Sequence, residues 1–302
     1  MEKTPVSNGR YYLLLTGAAA AWGVATVISK QAVAEIPPVA LLTVQLTTSV
    51  LVLGSLMRVE GQPGWTRGTI RLGLLGFLNP GLSYALGLIG LTQITASLSV
   101  VLWATEPVMI LVLAAMVLRE TITKPLALTI GLTSVGVLLA AGEASTSGTL
   151  LGIGFTLAGV AACAIYTVIS RKWMGEDSTL AVITVQQMCA LIFALGLLGT
   201  LVLNGESFAV SSWSGGAWAS AAISGVLYYA LAFWLYLTGL RRIPAAFAGM
   251  FLNLIPLFGI GAGYLFGERL SALQSLGAAL IVGAVGTMLW SRVRSISLTA
   301  PI

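Results

Sequence analysis

The chain has 302 residues, 57% of them hydrophobic and only 8% charged, with a mean hydropathy of +0.97. A soluble domain carries roughly 25% charged residues, so fifteen Lys+Arg and ten Asp+Glu are too few to solvate a surface of this length. The pI near 9.4 does not point to nucleic acid, because the charges sit at the ends of apolar runs and form no basic face. There is no His, which excludes histidine metal sites and histidine proton relays.

The apolar runs are long enough to cross a ~30 Å hydrocarbon core as helices, and the elements follow in chain order. The first helix is predicted over 11–29, with Trp22 at mid-span. Lys3 and Arg10 before it resemble the start of a signal peptide; a counterpart later in the chain argues for a retained helix. The second, 39–58, follows Pro37-Pro38, and the third, 70–90, follows the loop Glu60 to Gly64 and carries Tyr84. In the fourth, 97–118, Ser99, Trp103 and Glu106 fall on one face at spacings of four and three. The fifth, sixth and seventh are expected over 124–142, 149–170 and 179–203, with turn chemistry between them. The eighth, 217–238, shows a stripe of Tyr229, Phe233 and Tyr236; the ninth, 245–267, carries Asn253 and Pro256; the tenth spans 272–291. Cys163 and Cys189 lie inside apolar segments without CxxC spacing and read as small buried hydrophobes.

Ten spans place both termini and every second loop on one side. That side holds thirteen basic residues and the other holds two, Lys30 and Arg269. By the positive-inside rule both termini are cytoplasmic, in a multi-pass protein of the inner membrane.

The halves repeat. Thr26 to Lys30 (TVISK) reappears as Thr167 to Arg171 (TVISR), and Thr43-Val44-Gln45 as Thr184-Val185-Gln186, both at an offset of 141. At an offset of 149, Leu86, Gly90, Leu91, Ile94, Ala96 and Pro107 match Leu235, Gly239, Leu240, Ile243, Ala245 and Pro256. Five helices per half is an odd number, so the halves, 11–143 and 149–291, insert with opposite orientation. Inverted repeats of this kind are a frequent transporter architecture, with the site near the midplane between them.

Two such repeats, with a fourth helix running from Glu106-Pro107 to Arg119-Glu120 and a ninth from Ile255-Pro256 to Gly267-Glu268-Arg269, resemble the drug/metabolite transporter superfamily. Within it the chain is similar to the EamA-type exporters, and its overall pattern is closest to the YddG-type exporters of aromatic amino acids. The resemblance implies export of small amphipathic metabolites, aromatic amino acids first. A multidrug or cationic compound exporter stays open as an alternative, and a channel is the less favoured class.

Glu106 is the one acidic side chain deep within a span. An ionised carboxylate at the bilayer centre costs roughly 2.5–3.5 kcal/mol on insertion scales, so it must face a cavity or a partner or stay protonated. It reads as a proton site or an anchor for a substrate ammonium group; alternatively, it is a neutral carboxyl that holds a kink. Pro107 and Pro256 each remove a backbone donor and are read as hinges or packing kinks. The expected substrate site comprises Trp22, Tyr84, Ser99, Trp103, Glu106, Tyr229, Phe233 and Asn253, since rings and a few convergent polar groups suit an amphipathic planar ligand. Gly259, Gly263 and Gly267 read as a close-packing ridge or as a sliding surface. No P-loop, GxSxG elbow, HExxH or Cys cluster is present, so neither cofactor, metal nor enzymatic activity is expected. The expected partners are a small-molecule substrate and the lipid bilayer, with proton coupling through Glu106.

Overall fold

A computed structural model describes residues 9–61, 65–91, 93, 102, 103, 105–140, 149–265 and 272–297. Those residues are helical throughout, without a strand among them. The helical runs are α1 (Gly9–Val33), α2 (Pro38–Val59), α3 (67–91), α4 (Glu106–Leu118), α5 (Lys124–Ala140), α6 (Leu150–Trp173), α7 (Thr179–Leu203), α8 (Gly215–Leu240), α9 (245–265) and α10 (Ala272–Ser297). Five of them, α1, α2, α6, α7 and α8, are long and apolar enough to cross a membrane by length and composition.

Local chemistry sets the starts. The hydroxyls of Thr66, Thr149, Ser178 and Ser214 each accept the N–H of the residue three positions on, capping α3, α6, α7 and α8. Pro38 opens α2 at a position where its missing N–H costs nothing.

Four runs are irregular, among them α4, which ends in a π-helical turn over Ala114–Leu118. In α3, Asn79 is extended (φ −145°, ψ 123°) within a π-helical turn over Leu78–Leu82. In α8 a π-helical turn covers Val226–Leu231. In α9 a 3₁₀ stretch, Phe251–Leu254, separates Ala245–Met250 from Ile255–Leu265. Both candidate hinge prolines stand second in a segment that follows such a break: Pro107 after Thr105-Glu106, and Pro256 after Leu254-Ile255. In that position the missing N–H falls among donors that have no intrahelical partner in any case.

The helices associate in a definite pattern. α1 lies along α8 and α9, α6 along α3 and α4, α2 along α7, and α5 along α10. Small residues permit the closest crossings. A methyl on Gly23 would lie 2.5 Å from the Ile255 carbonyl oxygen and 2.7 Å from the Gly259 nitrogen, so Gly259 is a packing surface for α1.

Large apolar side chains face outward as well as filling the core, and several polar side chains turn inward. Leu13, Leu51, Met116 and Leu128 are exposed, whereas Gln45, Gln186 and Ser224 are buried. The buried amides are partnered as an apolar surround demands. Gln45 Nε2 donates to Ser29 Oγ (2.9 Å) and Ser224 Oγ (2.8 Å). Gln186 Nε2 donates to the Leu72 carbonyl (3.0 Å), and its Oε1 accepts from the Tyr166 hydroxyl (2.9 Å).

Candidate functional site

The site is built where α1, α3, α4, α6 and α8 meet. Trp22 of α1 stands edge-on to Phe233 (ring centroids 5.4 Å apart) and Tyr236 (5.5 Å) of α8. Tyr84 of α3 faces Trp103 at 6.1 Å, and Tyr228 and Tyr229 of α8 at 5.7 and 5.8 Å. Phe233 is stacked on Tyr229 at 6.4 Å, and Tyr166 of α6 closes on Phe233 at 6.1 Å. Trp22, Tyr84, Trp103, Tyr229 and Phe233, from α1, α3, α8 and the segment before α4, thus join one cluster. Most of it is buried: Phe233 is 2% exposed, Tyr229 4% and Trp22 6%. The rings fill the centre against one another.

Polar groups are few. Glu106, at the head of α4, is partly buried, and among the described residues no hydrogen bond or ion pair reaches its carboxyl. It stands three residues after Trp103, at the start of the segment that packs along α6. The Trp22 indole N–H is buried without a partner among the described residues. Such a donor calls for an explanation, because leaving it unsatisfied costs about 1–3 kcal/mol.

One expected member, Asn253, lies elsewhere. The Asn253 amide donates to Thr133 Oγ1 of α5 at 2.5 Å, and no ring contact ties it to the cluster among the described residues. Ser99 lies outside the described residues.

Several residues of the site escape a reading at helical spacing. Asn79 is buried in the broken turn of α3, where its Oδ1 accepts from Ser83 Oγ (2.6 Å) and from the Cys163 thiol (3.3 Å). The signal was available: Asn79-Pro80-Gly81 is a turn triplet inside an apolar run. Tyr228 was hidden by the period. A regular helix turns residue 228 away when 229, 233 and 236 face inward, but the π turn widens the helix locally, and both tyrosines reach Tyr84.

The family model of the EamA-like transporter family matches this chain twice, over residues 9–142 and 150–290. The chain belongs to that family. It is a membrane transporter. Two curated relatives are named as transporters: the uncharacterized transporter YetK of Bacillus subtilis (strain 168), 28% identical over 91% of this chain and 85% of that one, and YyaM of the same organism, 24% identical over 72% and 70%. A solved crystal structure shares the fold with a TM-score of 0.78 at 19% identity, covering 95% of this chain and 99% of the other.

Proposed function

We propose that this EamA-like transporter exports small amphipathic metabolites, aromatic amino acids first, by alternating access between two inverted five-helix repeats, 11–143 and 149–291. The observation that carries the reading is the aromatic cluster of Trp22, Tyr84, Trp103, Tyr229 and Phe233, with Glu106 three residues after Trp103. Rings offer faces to a planar side chain, the carboxyl offers a partner to an ammonium group, and the Trp22 N–H offers a donor. Ser99 completes the proposed lining, Asn253 is left out of it by its bond to Thr133, and Pro107 and Pro256 are the proposed hinges.

Equivalent contacts support the repeat. Gly76 and Gly225 are 149 apart, and Gln45 and Gln186 are 141 apart. A methyl on Gly76 would lie 1.9 Å from the Gln186 carbonyl oxygen, and one on Gly225 would lie 2.6 Å from that of Gln45. In the same way Gly90 abuts Thr156 and the Gly152 carbonyl, while Gly239 abuts Leu15 and the Tyr11 carbonyl.

Loop contacts support ten alternating spans. Glu35 after α1 binds Ser214 before α8, and Asp177 after α6 binds Thr66 before α3. Glu120 after α4 binds Ala245 and Ala246 at the start of α9, and Thr149 before α6 bonds Gln93 after α3. Each pair joins loops that ten crossings assign to one face. With the charge asymmetry, this reading puts both termini in the cytoplasm of a cell with the protein in its inner membrane.

A cationic compound is the second reading. It is favoured by one feature: the spans carry Glu106 but no basic side chain that could receive a substrate carboxylate at mid-depth. A carboxylate among aromatic faces is suited to organic cations.

Purified protein in liposomes, loaded with labelled tryptophan and assayed for counterflow, tests the function. Saturable exchange is expected, with Trp103→Ala cutting it at least tenfold while leaving expression intact; exchange unchanged in that variant would remove Trp103 from the site. Accumulation of a labelled quaternary amine without tryptophan exchange would favour the second reading. Cysteine labelling at Arg67→Cys from the cytoplasmic side and at Ser212→Cys from the outside tests the topology.

A further inference from the structure

A second aromatic pocket lies away from the central cluster, at the end of the bundle that the proposed orientation places in the cytoplasm. It is a cavity of about 560 Å³ between α1, the end of α4, the start of α5 and the start of α9. That volume falls within the roughly 300–1,000 Å³ of small-ligand pockets. Tyr12 and Phe247 line it, with ring centroids 5.5 Å apart, and Phe251 backs Tyr12 in a stacked arrangement at 6.1 Å. Leu126 and Pro244 add apolar wall.

The polar side is formed by Arg119 and Glu120. Glu120 is already engaged, since its Oε1 accepts the Ala245 N–H (2.8 Å) and its Oε2 the Ala246 N–H (3.0 Å). The Arg119 guanidinium has no hydrogen bond or ion pair among the described residues, and the residue is exposed. It is also the one non-glycine residue described with a left-handed backbone, at φ 56°. That conformation closes helices and is normally given to Gly or Asn, and a long side chain there costs of order 1 kcal/mol or more.

We infer that this cavity is a loading site for aromatic, carboxylate-bearing substrates, with the Arg119 guanidinium taking the carboxylate and Tyr12 and Phe247 the ring. A guanidinium offers a planar fork of donors matched to a carboxylate. The central cluster holds Glu106 and no cation, so the two sites recognise opposite ends of one zwitterion. The inference rests on the transporter reading above and names the substrate class that reading leaves broad.

The test uses Arg119→Gly, chosen because glycine suits the left-handed backbone and spares the fold. In liposomes, KM for labelled tryptophan should rise about tenfold, as for loss of one charged hydrogen-bonded contact, with kcat little changed. Arg119→Lys should recover part of the loss, and Phe247→Ala should raise KM in the same way. KM for tryptamine, which lacks the carboxylate, should not respond to Arg119→Gly. An unchanged tryptophan KM in Arg119→Gly, or an equal rise for tryptamine, overturns the loading site while leaving transport standing. Equilibrium binding of labelled tryptophan to detergent-purified protein separates the two readings. Arg119-dependent binding without flux sinks the transport reading alone, and absence of binding in the wild type sinks the loading site.

Discussion

The Tyr84 hydroxyl of α3 donates to the Tyr228 hydroxyl of α8 across 3.2 Å, with the two rings edge-to-face at 5.7 Å. This contact crosses from the group of helices around α6 to the group around α1, and it lies inside the aromatic cluster. A neutral hydrogen bond contributes about 1 kcal/mol net, and residues in contact do not act additively. Tyr84→Phe and Tyr228→Phe should each alter the tryptophan KM several-fold, and the double variant no more than either alone. Additive effects in that double-mutant cycle would show that the two hydroxyls serve separate purposes.

Glu106 is the proposed coupling residue. If it exchanges protons between the two sides, Glu106→Gln loses pH-driven accumulation of substrate in liposomes but keeps counterflow exchange. A Gln variant that still builds a gradient in response to pH would assign the coupling elsewhere and leave Glu106 as a substrate or structural group.

The crossing of α3 on α7 should tolerate no side chain at its tightest point. A Gly76 methyl would meet the Gln186 backbone at 1.9 Å, and backbone atoms do not swing aside as a flexible side chain does. Gly76→Ala is expected to cost at least 1–3 kcal/mol, the usual range for overpacking, seen as a lower Tm in detergent. Gly54, with nothing within 4 Å of its added methyl, is the control and should gain slightly on the same change.

Glu35 gives a pH signature outside the membrane. The Ser214 backbone N–H, and then its hydroxyl, hold the Glu35 carboxyl below its ordinary range. A carboxyl lowered on folding contributes stability above the ordinary range and loses it as pH falls through and below that range, near pH 4. The Tm difference between wild type and Glu35→Gln should therefore be present at neutral pH and close on acidification. A difference independent of pH would locate the effect in packing rather than charge.

Much of the fold was legible because lipid as solvent imposes a simple rule: long apolar helices with charge at their ends. The membrane class and the long apolar helices were readable at that level, whereas the transporter family was read from the resemblance carried by the repeat and by Glu106-Pro107 and Ile255-Pro256. Five aromatic members of the site could be found because mid-span rings at helical spacing share a face. Reading at a period of 3.6 fails wherever the backbone departs from it, and the site is built at those departures. The π turn of α8 brings Tyr228 inward beside Tyr229, and the break at Asn79 turns its amide towards Ser83 and Cys163. Which face a polar residue meets is also decided by the neighbouring helix rather than its own. Asn253 reads as a cavity residue along the chain, yet it lies against Thr133 of α5. Hydropathy along one chain therefore determined the solvent and the long apolar helices. Only the packing of helices distant in sequence decided which rings meet, which carboxylate is taken by backbone N–H groups, and that Arg119 is left facing a cavity.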